Sequence, residues 1–317
     1  MKTNLRYDGA RDVKMGGKYA EKNAPSLKRK FAVNPARTDK NSSQKYDVQS
    51  LTRDRYLETF EVLQSLSREY QDIAGFVATE IENKIGSSFS LLDVGAGSGY
   101  MLEKLGERLS ISNIKKYVAV EPDPVAAAAL IQMLSRFSQV PSVVEIERFN
   151  QALATDLQQS FDVVLFCHSL YGIKDPIEAL LSAKNLLTKN GMLIAIINTP
   201  EGFTRLFSDF DFSLNRDRPA IENFDLKSNI VAAGLRASNC DFSLLPISTY
   251  FDVGSLFDGS AGSEARRLEF LSFALQCELA NAPRQLLEEV ELRLRSSCFT
   301  KDGKLILPQP TAAFVIS

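Results

Sequence analysis

A glycine turn constrains this chain more than any other feature. Residues 89–94 form a short apolar run that leads into Asp93-Val94-Gly95-Ala96-Gly97-Ser98-Gly99, and a helical pattern resumes at residue 100. Glycines at every second position open backbone conformations closed to other residues and let the main chain approach a ligand closely. An apolar run that barely alternates marks a strand buried on both faces, as in a parallel sheet. Strand, glycine turn and helix in that order place a nucleotide-like ligand outside the carboxyl end of the strand. The spacing excludes two related motifs. A dinucleotide fingerprint needs its third glycine at position 100, which is Tyr100, and a P-loop needs a closing Gly-Lys-Ser/Thr, which this turn lacks.

The pattern around the turn repeats. Tyr56, Phe60, Leu63, Leu66, Tyr70, Ile73 and Val77 recur at three- and four-residue steps, which predicts one helix running from residue 55 until Gly86 and two serines close it. Strands are predicted at 117–120, 143–147, 161–166 and 192–197. Helices are predicted at 100–109, at 125–137 behind Asp123-Pro124, and from Asp175-Pro176 to Gly191. Such βα alternation calls for right-handed crossovers and an open sheet with helices on both faces. The rhythm breaks after Ile197 with an aromatic segment at 203–212, followed by a helix and strand ending near Leu245. About 65 residues then precede a last apolar run at 312–316. The amphipathic stretches 264–279 and 283–294 read as a helical insertion over the sheet.

Composition narrows the chemistry. Of 317 residues 44% are hydrophobic, enough for a sizeable core, and no apolar run approaches the ~18–20 residues of a membrane span. One histidine and four scattered cysteines (Cys167, Cys240, Cys277, Cys298) offer no CxxC or HExxH spacing, so no metal site is expected. So few thiols in so long a chain do not make a disulfide framework, which together with the lack of a secretion signal points to the cytoplasm. The net charge of −2 hides an asymmetry. Residues 1–40 carry 11 Lys/Arg against 4 Asp/Glu, a local +7 that leaves −9 for the remainder. Residues 1–48 are therefore predicted to be a basic, disordered arm. Nothing in that arm interleaves aromatics with basic residues as nucleic-acid readers do, so a nucleic-acid partner is not expected.

Glu121 ends the second predicted strand, where a carboxylate can accept both hydrogens of a vicinal ribose diol. With Asp93 to Gly99 it completes an ordered pair of motifs, and here the chain resembles the class I S-adenosylmethionine-dependent methyltransferases. The segment 161–170, Asp175-Pro176, Leu186-Leu187 and Asn190-Gly191 look like that family's fourth strand and succeeding helix. A narrower resemblance, to the histamine N-methyltransferase family, covers residues 55 to 316. It rests on separate blocks: Arg55-Tyr56-Leu57-Glu58-Thr59-Phe60, Val120-Glu121-Pro122, Leu170-Tyr171, Ile173-Lys174-Asp175, Gly202-Phe203, Leu206-Phe207, Asp258-Gly259 and Asp302-Gly303-Lys304. The resemblance implies a Rossmann-like α/β fold over 49–317, with a mostly parallel seven-stranded sheet and helical substrate-cap insertions at about 199–235 and 249–311.

The resemblance also implies roles. S-adenosyl-L-methionine would be held by Asp93, Gly95, Ala96, Gly97, Gly99, Glu121, Pro122, Asn150, Cys167 and His168. A small amine would meet Tyr56, Phe60, Glu69, His168, Tyr171, Phe203, Phe207 and Gln309, of which Glu69, His168 and Gln309 are the catalytic candidates. Glu69 matches a glutamate that meets the amine. His168 stands where the family has a glutamine, Gln309 where it has an asparagine, and Phe203 and Phe207 where it has tryptophans. The expected activity is direct in-line methyl transfer to an amine nitrogen by a monomer. Because both polar substrate positions differ in type, another nitrogen, oxygen or sulfur acceptor stays open, as does a non-catalytic cofactor-binding module whose arm engages RNA or protein.

Overall fold

The computed structural model describes residues 46–317 apart from 138, 158–159, 212, 216–222 and 224–225. The basic arm predicted at 1–48 falls almost wholly outside the described residues.

Seven strands make the central sheet: β1 (Phe89–Val94), β2 (Ile114–Val120), β3 (Ser142–Glu145), β4 (Phe161–Cys167), β5 (Leu187–Asn198), β6 (Ser243–Ile247) and β7 (Thr311–Ile316). Their spatial order is β3-β2-β1-β4-β5-β7-β6. Neighbours from β3 to β5 are parallel, and β7 runs antiparallel to both β5 and β6. The order reverses beside β1, which opens a crevice at the carboxyl edge where the glycine turn lies.

Each central strand is buried on both faces, as its apolar run requires. Leu91, Val163 and Ile194 face a core completed by Ile73, Val77 and Ile81, while Leu92, Val164 and Leu193 face one completed by Leu180, Val231 and Leu235. A third core joins Leu63 and Leu66 to Phe251, Phe270, Leu286, Val290, Leu294 and Leu307. Truncating such a fully buried aliphatic costs about 2–5 kcal/mol.

The helix expected to run on from residue 55 is two helices, α1 (Arg53–Leu66) and α2 (Glu69–Lys84). Ser67 is extended and bridges to Phe251, and the Arg68 N–H donates to Tyr250 O at 3.1 Å. Backbone pairing with a distant strand thus replaces the next helical turn and makes Glu69 the first residue of α2. Next come α3 (Tyr100–Gly106), α4 (Pro124–Leu134), α5 (Gln151–Leu157) and α6 (Pro176–Lys184). Asp123 caps α4 by accepting the Val125 N–H at 2.9 Å, whereas Asp175 makes no such bond on α6. That helix stops before Asn190-Gly191, because β5 begins at Leu187 and lies against Phe161.

After β5 come α7 (Phe203–Asp211), α8 (Ser228–Ala237), α9 (Ser263–Leu275) and α10 (Arg284–Ser297). The segment expected as a purely helical insertion also holds a three-stranded antiparallel sheet, ordered Phe299–Lys301, Lys304–Pro308 and Tyr250–Asp252. Its hairpin turns on Asp302 (φ 50°) and Gly303 (φ 75°), the positive pair that a tight two-residue turn demands. Among the described residues no helix is long and apolar enough to cross a membrane.

Candidate active site

Four strand ends and the start of β7 converge on one edge. Gly95 follows β1, Glu121 follows β2, Cys167 ends β4 with His168 directly after it, and Asn198 ends β5. Because β7 is antiparallel, with Thr311 opposite Asn198, residue 309 arrives at the same edge.

The turn is built by its glycines, with φ 72° at Gly95, 58° at Gly97 and 87° at Gly99. Gly97 donates its N–H to Glu121 Oε2 at 2.8 Å, and Asp123 donates its own to Glu121 Oε1 at 2.8 Å. Two backbone donors therefore aim the carboxylate and leave each oxygen further accepting capacity. Burial raises the Glu121 carboxyl above its ordinary value, against the Gly97 N–H and Arg53, which lower it. Asp93 lies beneath the turn and accepts the buried Tyr117 hydroxyl at 2.9 Å. Burial pushes its carboxyl up to about 7, with the Tyr117 bond opposing and Glu121 adding. A Cβ on Gly95 would stand 2.4 Å from Ser169 Cβ, and one on Gly99 2.2 Å from Met133 Cε. Gly95 therefore lets the turn pack against Ser169, and Gly99 lets α4 pack.

Two cavities meet at this edge. A groove of about 570 Å³ is lined by Val94, Gly95, Glu121, Pro122, Phe149, Asn150, His168 and Ser169 among others. A pocket of about 220 Å³ is lined by Tyr56, Phe60, Glu69, Tyr70, Cys167, His168, Tyr171, Asn198, Phe203, Phe273 and Gln309 among others. Tyr56, Gly95, His168 and Tyr171 border both.

The pocket sets a few polar atoms among aromatic rings. Tyr56 and Phe60 each pack on Phe273, with centroids 5.2 and 5.5 Å apart, and Phe203 packs on Phe251 at 5.1 Å. Glu69 and Gln309 are 5% and 3% exposed, and an Oε1 atom of each has no hydrogen-bond partner. Gln309 Nε2 donates to Asn198 Oδ1 at 2.8 Å, which turns Gln309 Oε1 into a fixed acceptor. His168 Nε2 lies 3.0 Å from Glu69 Oε1, within ion-pair range, but misalignment keeps the contact from closing as a hydrogen bond. A buried polar atom left uncapped is costly, so these acceptors are arranged for a ligand. Burial holds the Cys167 thiol well above its ordinary value, which makes it a wall and not a nucleophile.

The expected residues are distributed unevenly. Glu121, Pro122 and Asn150 line the groove; Phe60, Glu69, Cys167, Phe203 and Gln309 line the pocket; Tyr56, Gly95, His168 and Tyr171 line both. Asp93, Ala96, Gly97 and Gly99 do not line either cavity and instead shape the turn. Asn150 also caps α5, accepting the Leu153 N–H at 3.0 Å. Phe207 sits in α7, and its side chain lies outside the described residues. Tyr70, Ser169, Asn198 and Phe273 went unanticipated. Adjacency to Glu69 and the strand end at Asn198 were the available signals for two of these, and no local signal marks Phe273.

Residues 49–227, more than half of the chain, match the methyltransferase domain family. The chain belongs to this family. It is an S-adenosylmethionine-dependent methyltransferase with a mostly parallel Rossmann-like sheet. The methyltransferase is 26% identical over 293 residues to a histamine N-methyltransferase of Xenopus tropicalis, covering 83% of this chain and 94% of the relative. It is 24% identical over 288 residues to one of Danio rerio, with 83% and 95% covered. Among solved structures, the plantazolicin methyltransferase BamL in complex with a triazolic desmethylPZN analog and SAH aligns with a TM-score of 0.48 at 11% identity, covering 83% of this chain and 90% of that one.

Proposed function

We propose that the methyltransferase is an N-methyltransferase of a small cationic amine. The observation that carries this reading is the pair of buried, uncapped acceptors, Glu69 Oε1 and Gln309 Oε1, inside an aromatic-walled pocket that opens onto the cofactor groove. Acceptors that close no hydrogen bond, one of them a carboxylate, suit N–H groups and positive charge, and the surrounding rings favour a cation through their faces.

The groove fits S-adenosylmethionine on its own chemistry. Gly95 lines it with backbone that carries no side chain, Glu121 keeps lone pairs for a ribose diol, and the buried Ser169 Oγ lacks a partner. Gly95, Glu121, Pro122, Asn150 and His168 would hold the cofactor, which supplies a methyl group on a sulfonium when bound. Glu69 attracts the amine as a cation. Gln309, fixed by Asn198, and His168, packed on Tyr171, orient its nitrogen toward the shared border at Gly95. Tyr56 and the insertion exclude water from that border. No covalent enzyme intermediate is needed, and positioning supplies most of the rate. Relatives named histamine N-methyltransferases along most of the chain support an amine acceptor.

The test is transfer of an isotope-labelled methyl group to a panel of imidazole amines, indole amines and polyamines beside neutral alcohols and thiols, with products read by mass spectrometry. Methylated amines are the expected products. Transfer only to the alcohols or thiols would replace the amine reading with another acceptor class.

A further inference from the structure

The pocket holds a proton acceptor that binding an amine does not require, and the inference drawn from it rests on the amine reading above. His168 is the sole histidine of the chain. It directly follows β4 in the left-handed region at φ 53°, its backbone N–H donating to Ile196 O at 3.1 Å. A non-glycine residue keeps that conformation only where its surroundings impose it, and such residues cluster at functional sites. The ring lies parallel to Tyr171, 6.2 Å between centroids, and edge-on to Tyr70, also at 6.2 Å. Nε2 lies 3.0 Å from Glu69 Oε1, and the ring borders both cavities.

Glu121, Arg148 and Lys174 line the groove beside the ring, and Glu69 is the charged group within ion-pair range of it. Burial raises the Tyr70 and Tyr171 phenols and the Cys167 thiol, so all three stay protonated near neutrality. Lys227 borders the same pocket, and its Nζ donates to Ser208 Oγ at 2.7 Å. Glu69 is the carboxylate in contact with the imidazole. A carboxylate behind one ring nitrogen, with the other nitrogen facing a ligand, is the arrangement by which an imidazole accepts a proton and is stabilised once charged.

We propose that His168, backed by Glu69, takes the proton from an aliphatic ammonium, so that the nitrogen methylated is an aliphatic amine nitrogen and not that of a heteroaromatic ring. An alkylammonium with a lysine-like pKa of about 10.4 is neutral in only about one molecule in 2,500 at pH 7, whereas an imidazole already offers a lone pair there. Only the first substrate gains from a base. The ammonium N–H bond breaks, its electron pair stays on nitrogen and the proton moves to His168 Nδ1. Positive charge thus shifts from the substrate to the imidazole against Glu69. The freed lone pair forms the new N–C bond as the sulfonium C–S bond breaks to a thioether, and His168 returns its proton to water.

Three measurements test this. Nitrogen NMR of the single histidine in the full chain should show the tautomer protonated on Nε2 with Nδ1 bare, and an Nδ1-protonated ring overturns the proposal without any activity assay or substitution. Histamine offers both nitrogen types in one molecule, and the labelled methyl should appear on its side-chain amine. With 2-phenylethylamine, His168→Gln should lower kcat about 10²–10⁴-fold at pH 7 while KM moves only a few-fold, and the rate should recover as pH rises toward 10. Ring methylation of histamine, or unchanged kcat in the variant, overturns the proposal and leaves amine methylation standing. No methylated amine from the wild type with any amine overturns both.

Discussion

Gly97 and Glu121 are one unit: the glycine's N–H reaches the carboxylate at 2.8 Å and joins the turn after β1 to the end of β2. The Asp123 N–H holds the other oxygen, so the two ends of the groove are fixed together. Glu121→Ala removes the acceptor of both donors and the proposed ribose partner. Affinity for S-adenosylmethionine, measured by calorimetry, should fall at least about 100-fold, the equivalent of roughly 3 kcal/mol for lost charged hydrogen bonds.

Gly95 and Gly259 share a φ of 72°, but only Gly95 has a neighbour where a Cβ would go. Alanine at either position meets left-handed strain of about 1–2 kcal/mol. Gly95→Ala must also displace Ser169 at the border of both cavities. Thermal melts should show the larger loss for Gly95→Ala, and only that variant should lose cofactor affinity.

Asp93 makes the ligand-free protein sensitive to pH. Burial raises its carboxyl from 3.8 to about 7, so the folded state favours the protonated form. That advantage is complete below about pH 4 and is lost as pH rises through 7, a swing of roughly 4 kcal/mol from this group. Asp93→Asn keeps an acceptor for Tyr117 and does not titrate. Chemical denaturation from pH 4 to 8 should show the wild type losing stability relative to the variant, and a constant difference would contradict the buried-carboxyl assignment.

Much of this site was legible because its determinants are local. Phe89 and Gly95 bound β1 by composition alone, and Asp123-Pro124 announces α4. The break between α1 and α2 was not legible, because its cause is backbone pairing of Ser67 and Arg68 with the Tyr250–Asp252 strand far along the chain. The Asp302-Gly303 hairpin carries its own turn signal, but nothing nearby shows that Lys304–Pro308 also pairs with that strand. By periodicity alone Glu69 is a plain helix position, and the family resemblance is what marks it as a site residue. Its place at the start of α2 and its contact with His168 follow from that same break.

Arg55 holds α1, and with it Tyr56 and Phe60, against the insertion by meeting Glu269 at 2.7 Å and Glu278 at 2.9 Å. Arg55→Ala leaves carboxylates facing one another and should cost about 1–3 kcal/mol, a fall of several degrees in Tm. Amine KM should rise with it, and Arg55→Lys, which cannot span both partners, should recover only part of either effect.

The most direct measurement compares wild type with Glu69→Gln for transfer of a labelled methyl group to a cationic amine, alongside the Kd for S-adenosylmethionine. An anionic anchor for the substrate predicts that amine KM rises at least about tenfold while the cofactor Kd changes less than twofold. Unchanged amine kinetics, or equal losses for amine and cofactor, would contradict a cationic amine held by Glu69.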